Sequence, residues 1–122
     1  MFNFEKLNSW QRAVDFADSI YRLTRAFPRE EQFGLTSQMR RASVSIASNL
    51  AEGSSRKSPL EFARFTEIAV GSLFEVLTQS VIAKRQNFLI NTDYEEIYTQ
   101  AEVLGKMLNS LKGALLEKSN NQ

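Results

Sequence analysis

The sequence contains no cysteine and no histidine among its 122 residues. Without cysteine, the chain forms neither a disulfide framework nor a thiolate metal site. Without histidine, it lacks the commonest general base and the commonest zinc ligand, which excludes zinc enzymes and Ser-His or Cys-His hydrolases. Carboxylate chemistry with magnesium is the enzyme class that this composition leaves open.

The sequence also lacks a long apolar run and a strong net charge. No run reaches the roughly 18 apolar residues of a membrane span, and the first residues, Met-Phe-Asn-Phe-Glu-Lys-Leu, lack a signal-peptide pattern. We therefore expect a cytoplasmic protein with no membrane partner. Fifteen basic and 14 acidic residues give a net charge of +1. Any contact with nucleic acid must then come from a local basic patch, or from a patch multiplied by oligomerisation.

Apolar residues recur at helical spacing over four segments, with no strand-like alternation between them. This pattern predicts helices at about residues 7–26, 35–52, 59–86 and 92–116. The fold class is therefore all-α, an antiparallel up-down four-helix bundle with short connections. A single domain is expected over residues 1–118, followed by a polar tail at residues 119–122.

Local signals predict where these helices begin and end. Gly53 and the serines after it are typical of a C-terminal stop for the second helix. Ser58 to Glu61, with proline at the first helical position, has the pattern of a capping box, and Thr92 to Glu95 has the same pattern.

Apolar residues of the third helix do not keep to one stripe. Phe62 and Phe65 face one way, whereas Phe74 and Val81 face elsewhere. A helix that is apolar on more than one side must be covered on more than one side. Because the bundle covers one face, the other is left for a partner subunit. Gly71 in the middle of this helix costs about 1 kcal/mol in helix propensity, for which close backbone packing is the usual compensation.

The stretch from Gln38 to Gly53 is rich in alanine and serine and carries the pair Arg40–Arg41. Arginine matches a phosphate with two parallel hydrogen bonds, so this pair is a candidate nucleic-acid contact. The alternative is that Arg40 pairs with a carboxylate and fixes the helix register; the candidate carboxylates are Glu52, Glu67 and Glu75. Adjacent helical positions lie about 100° apart, so one arginine can be internal while the other is exposed.

The residues that follow the second helix are predicted to extend a basic patch. Arg56 and Lys57 lie in the connection, and Arg64 lies one turn into the next helix. Together with Arg41, these three residues form the predicted nucleic-acid-binding set.

Asn49, Glu52 and Glu75 are the polar residues that suggest a catalytic or metal site. A carboxylate metal site in a bundle needs Glu-x-x-His or several facing glutamates, and this chain has no histidine. We therefore predict no catalytic residues and no metal site. Asn49 and Glu52 are instead expected to bond to helix ends or to the two arginines, in a structural polar network that includes Arg40 and Glu75.

Trp10 and the nine phenylalanines raise the possibility of stacking on bases. At helical spacing in a bundle, such residues belong more often to the core. Phe33, Phe88 and the pair Phe2 and Phe4 lie at ends or connections, where exposure or subunit contact is expected.

The same residues carry a resemblance to a known family. From about Phe4 to Leu116, the chain resembles the small four-helix proteins encoded in intervening sequences of bacterial 23S rRNA genes. The matching positions are Leu7, Trp10, Ile20-Tyr21, Phe27-Pro28, Glu31, Gly34-Leu35, Gln38-Met39-Arg40-Arg41-Ala42, Ser45-Ile46, Asn49-Leu50-Ala51-Glu52-Gly53, Glu61-Phe62, Ala69 and Gly71-Ser72-Leu73.

The resemblance implies an up-down bundle that assembles into ring-like homopentamers, with no enzymatic activity and no cofactor. The chain is also similar to the accessory variability determinant of diversity-generating retroelements, a pentameric bundle that contacts nucleic acid and a reverse transcriptase. The implied partners are further copies of the chain, RNA or DNA, and a reverse transcriptase or another ribonucleoprotein component. The alternative is a protein–protein interaction scaffold without nucleic-acid binding. A small carboxylate-dependent enzyme is a more distant third class.

Overall fold

The computed structural model describes residues 1–121, and in this range the chain is all-α with four helices and no strand. The helices are α1 (Asn8–Thr24), α2 (Leu35–Ser54), α3 (Pro59–Arg85) and α4 (Asn91–Asn120). Short 3-10 turns at Asn3–Lys6 and Arg29–Glu31 precede α1 and α2. The four helices predicted from apolar spacing are confirmed.

The start and the end of α3 have clear local causes. The Ser58 hydroxyl accepts a hydrogen bond from the Glu61 backbone N–H at 3.1 Å, and Pro59 occupies the first turn. At the other end, Asn87 adopts a left-handed conformation with φ of 63°. The N–H groups of Asn87 and Phe88 then bond to the carbonyls of Lys84 and Ala83 at 3.0 and 2.9 Å, a Schellman motif.

One predicted helix boundary is confirmed and one was wrong. As predicted, α2 ends in the serines after Gly53: Ser54 is its last residue and Ser55 its C-cap, while Gly53 itself is still helical. Thr92 is not an N-cap, because α4 begins at Asn91 and the extended Ile90 precedes it without a side-chain cap bond. The helix also continues to Asn120, into the predicted polar tail at residues 119–122, of which Gln122 lies outside the described residues.

Each helix contacts its two spatial neighbours around a single core. Within residues 1–121, α1 contacts α2 and α4, and α3 contacts α2 and α4, whereas the diagonal pairs do not touch. Ion pairs between Arg22 and Glu96 and between Lys112 and Glu67 link α1 to α4 and α4 to α3. The largest buried core residues are Phe16, Ile20, Met39, Ile46, Leu50, Leu73, Val76, Ile97, Leu104 and Leu108.

α3 is more apolar than its place in this core requires. By length and composition alone it is the one helix of the described chain that could cross a membrane, although no run of consecutive apolar residues had suggested this. Only 33% of its most apolar window is buried. Ile68, Phe74 and Ile82 are exposed by 52%, 60% and 46%. The predicted surplus of apolar residues on the third helix is therefore present, but of the residues assigned to its second face only Phe74 is exposed, whereas Val81 is half-buried.

Candidate functional site

Arg40 joins α2 to the end of α1. Its Nε donates to the Thr24 hydroxyl at 2.9 Å, and its Nη2 donates to the Tyr21 carbonyl at 3.3 Å. The guanidinium also lies 4.7 Å from the centre of the Tyr21 ring. The last carbonyls of a helix have no partner within the helix, so Arg40 satisfies one of these acceptors. Its partners are thus a hydroxyl, a carbonyl and an aromatic ring, and not Glu52, Glu67 or Glu75 as predicted.

Arg41 points in a different direction from Arg40, as the 100° helical step predicted. Arg40 is half-buried, whereas Arg41 is exposed. Arg41 lies in a groove of about 350 Å³ between α2 and α3. The groove is lined by Phe33, Ser37, Gln38, Arg41, Ala42, Ser45, Ser72, Glu75 and Gln79.

Asn49 takes part in a small serine network that the sequence analysis missed. Its Nδ2 donates to the Ser45 carbonyl at 2.8 Å and to the Ser45 hydroxyl at 3.0 Å. The Ser72 hydroxyl donates to the Ser45 hydroxyl at 2.9 Å, which links α3 to α2. Small side chains at positions 45 and 72 allow this close approach, and both serines lie in the motifs that carry the family resemblance.

The predicted network of Arg40, Asn49, Glu52 and Glu75 is not formed within residues 1–121. Asn49 bonds to Ser45, and Glu52 pairs with Arg56 at 3.1 Å. Glu75 lines the groove that contains Arg41 and takes part in none of the ion pairs of the described chain. The four side chains therefore do not form one hydrogen-bonded network.

Three of the predicted basic residues lie in or just after the α2–α3 connection, and Arg41 is far from them along α2. Arg56 and Glu52 have side chains exposed by 40% and 56%, so their ion pair contributes little to stability. The Arg56 guanidinium also lies 4.8 Å from the centre of the Phe65 ring, while Lys57 and Arg64 are exposed. Arg41 precedes Arg56 by 15 residues, which is about 22 Å along a helix. The predicted basic patch is thus reduced to Arg56, Lys57 and Arg64, which we name the loop group.

The aromatic residues divide between core and surface. Phe16 and Phe27 are buried, and Phe88 packs against Phe27 at 6.0 Å between ring centres. The expected exposure of Phe88 is therefore only partial, whereas Phe33 and Phe2 are exposed by 90% and 71%. Phe74 is an aromatic residue of α3 that is exposed by 60%, which the sequence did not specify.

Trp10 is half-buried in an apolar groove between α1 and α2. Phe4 covers it, with 5.0 Å between the ring centres, and the groove has a volume of about 400 Å³. The groove is lined by Phe4, Trp10, Val14, Ala17, Asp18, Tyr21, Val44, Ala47, Ser48 and Ala51. With one carboxylate and no basic residue in its lining, it is unsuited to phosphate.

Four helices around one core, joined by polar side chains at helix ends, define a small all-α four-helix protein. The chain belongs to the 23S rRNA-intervening sequence protein family, whose model matches residues 5–110. A crystal structure of a protein of unknown function from the S23 ribosomal protein family of Bacteroides thetaiotaomicron has the same fold, with a TM-score of 0.76. The two proteins are 21% identical, and the alignment covers 85% of this chain and 97% of the other. No curated protein matches the sequence.

Proposed function

We propose that this chain is a non-catalytic, homo-oligomeric helical bundle that acts as an accessory protein of a nucleic acid or a ribonucleoprotein in the cytoplasm. The subunit is proposed to be an antiparallel up-down bundle, and the assembly a ring-like pentamer. The up-down order is supported by the contacts of each helix with its neighbours in the chain and by the short connections between them.

The observation that carries self-association is the apolar surface of α3. Ile68, Phe74 and Ile82 are each about half exposed on one helix. Contiguous exposed apolar surface of this kind marks interaction sites in small proteins. A partner subunit would remove it from water.

The nucleic-acid role is supported by the loop group and by the family to which the chain belongs. Lys57 and Arg64 are exposed and take part in none of the ion pairs found in residues 1–121. In a ring, five loop groups would lie at one end of the assembly, which multiplies a modest patch without a large net charge per chain. A reverse transcriptase or another ribonucleoprotein component is the proposed protein partner.

The alternative function is a scaffold that binds only proteins. The observation that favours it is the use of two arginines within the subunit, since Arg40 binds the end of α1 and Arg56 pairs with Glu52. In that case, the exposed apolar face of α3 would carry the whole function.

Binding of fluorescently labelled RNA and DNA at increasing salt concentration tests the nucleic-acid role. We expect binding at low salt that weakens steeply as salt is raised, because phosphate contacts release counterions. Substituting Arg56, Lys57 and Arg64 with alanine should weaken binding by about tenfold or more. The matched control substitutes Arg12, Lys106 and Lys118, three exposed basic residues on α1 and α4, and should bind like the unaltered protein.

Light scattering on the same samples separates the two functions. Both triple variants should keep the oligomer mass of the unaltered protein, since neither changes Ile68, Phe74 or Ile82, the exposed apolar residues of α3. If the unaltered protein binds neither RNA nor DNA at low salt, the accessory role is wrong and the scaffold is favoured. Equal weakening by the loop-group and control substitutions would show that binding depends on overall charge alone, which contradicts a role for this patch.

A further inference from the structure

The groove beside Arg41 carries two opposite charges on one face of the subunit. Arg41 projects from α2 and Glu75 from α3, and both line the same groove. Both residues are exposed, yet neither takes part in any of the ion pairs of residues 1–121. A face that bears a cation and an anion without charged partners is complementary to another copy of itself.

A second polar group in this groove lacks a partner within the subunit. The side-chain oxygen of Gln79 is buried and accepts no hydrogen bond from the described residues. An acceptor left unpaired in this way is unfavourable, whereas rotation of the terminal carboxamide group about the Cγ–Cδ bond is easy. A donor from another molecule in the groove would satisfy this oxygen after such a rotation.

α3 lines this face with the residue spacing of a helix–helix contact. Ile68, Gly71, Glu75, Thr78 and Ile82 follow one another at alternating intervals of three and four residues. A second groove of about 410 Å³, which shares Gln38, Glu75 and Gln79 with the first, continues the face along this stripe.

Gly71 lies in the middle of the stripe and has no structural role within its own subunit. A Cβ atom built on Gly71 meets no other atom within 4 Å. The close packing predicted for this glycine is therefore absent from the subunit, and a neighbouring helix has room to approach it. Phe33, exposed by 90%, stands at the α2 side of the same face.

We propose that the α2–α3 face, defined by Phe33, Gln38, Arg41, Gly71, Glu75 and Ile82, contacts a second copy of the chain, with Arg41 of one copy paired to Glu75 of the next. This inference rests on the proposed self-association and assigns it a surface. In a ring, the α2 side of each face would meet one neighbour and the α3 side the other. RNA is a poorer occupant because Glu75 repels phosphate, and Ile68 and Ile82 have no side-chain donor for a phosphate oxygen. The proposal therefore assigns Arg41 to the subunit interface and not to the predicted nucleic-acid-binding set.

Charge reversal tests the pairing. Arg41→Glu and Glu75→Arg should each place like charges at the interface and weaken association by about 30-fold or more. The double variant should regain the oligomer mass of the unaltered protein in light scattering. Both side chains are exposed, so circular dichroism of the single variants should show the helical content of the parent.

Mixing the two single variants distinguishes a pair between copies from a pair within one copy. An Arg41→Glu chain and a Glu75→Arg chain offer each other opposite charges only across an interface. The mixture should therefore recover mass that neither variant shows alone. Recovery in the double variant without recovery in the mixture would place the pair inside one subunit and overturn the proposal.

Gly71→Trp gives a second test that is independent of charge. The indole should prevent close approach of a neighbouring copy, whereas Gly113→Trp, at an equally open position of α4, should leave the mass unchanged. If the unaltered protein forms an oligomer that none of these α2–α3 substitutions weakens, this face is not the interface although self-association stands. If the unaltered protein has only the 13.9 kDa mass of one chain, both this inference and the proposed oligomer are wrong.

Discussion

Gly53 marks the closest approach of α2 and α3. A Cβ atom at this position would lie 2.7 Å from the Phe65 Cβ and 2.8 Å from the Phe62 Cδ1. Both distances are far below van der Waals contact, and the Phe65 Cβ is fixed to the backbone of α3. Glycine is therefore required here for helix contact rather than for a left-handed backbone.

Gly53→Ala should destabilise the subunit. The added methyl group forces α2 and α3 apart, which costs about 1 to 3 kcal/mol. The gain in helix propensity offsets about 1 kcal/mol of this, so we expect a net loss of up to about 2 kcal/mol in the free energy of unfolding. Urea unfolding followed by circular dichroism measures the difference.

Gly113→Ala is the matched control for this substitution. Gly113 is also helical, but a Cβ atom there meets nothing within 4 Å, so alanine should stabilise the chain by up to about 1 kcal/mol. If both substitutions stabilise the protein equally, α2 and α3 do not approach each other as closely as the structure shows.

At the scale of the element, the end of α3 depends on one left-handed residue. Asn87 adopts φ of 63°, where asparagine is tolerated better than most residues and glycine better still. Asn87→Gly should therefore keep or slightly raise the free energy of unfolding, whereas Asn87→Ala should lower it. We expect about 1 kcal/mol between the two variants in urea unfolding. A more stable alanine variant would contradict the Schellman motif at this helix end.

Helices were predictable where the cause was local. Ser58 and Pro59 mark the start of α3 in the sequence as clearly as in the structure, because a cap bond joins residues three apart. The end of α2 just after Gly53 was also predictable, but the contact of Gly53 with α3 was not, because a glycine required by a neighbouring helix has the same appearance in the sequence as a glycine that ends a helix. The prediction that Thr92 caps α4 was wrong because the extended residue before α4 is Ile90, which carries no capping side chain.

The polar contacts of the candidate site were less predictable than the helices. Arg40 binds Thr24 and the Tyr21 carbonyl, at 16 and 19 residues' separation, and no pattern in the sequence specifies such a partner. The sequence did predict that Arg40 and Arg41 point in different directions, because helical geometry alone requires it. The serine pair that joins α2 to α3 could have been suspected from small residues at positions 45 and 72, but not its connection to Asn49.

At the scale of the whole molecule, the subunit has more apolar surface than its own core uses. α1 and α2 have clear apolar sides that face the core, whereas α3 adds Ile68, Phe74 and Ile82 outside it. The membrane-like composition of α3 has the same cause as its exposed apolar residues, since α3 carries more apolar residues than the core can bury. We propose that neighbouring copies cover this excess apolar surface, so folding and association should be linked.

This linkage predicts that stability depends on protein concentration. Because unfolding of an oligomer releases separate chains, dilution favours the unfolded state. When the chain concentration is raised from about 1 to 100 μM, the midpoint of urea unfolding should move to higher urea. The corresponding change in the free energy of unfolding per chain is about 2.2 kcal/mol for a pentamer and about 1.4 kcal/mol for a dimer. The Arg41→Glu variant should show a smaller shift, since weaker association leaves more of the folded chain as monomer at these concentrations. A midpoint for the unaltered protein that stays constant over this range would contradict an oligomer coupled to folding, and the size of any shift reports the number of subunits.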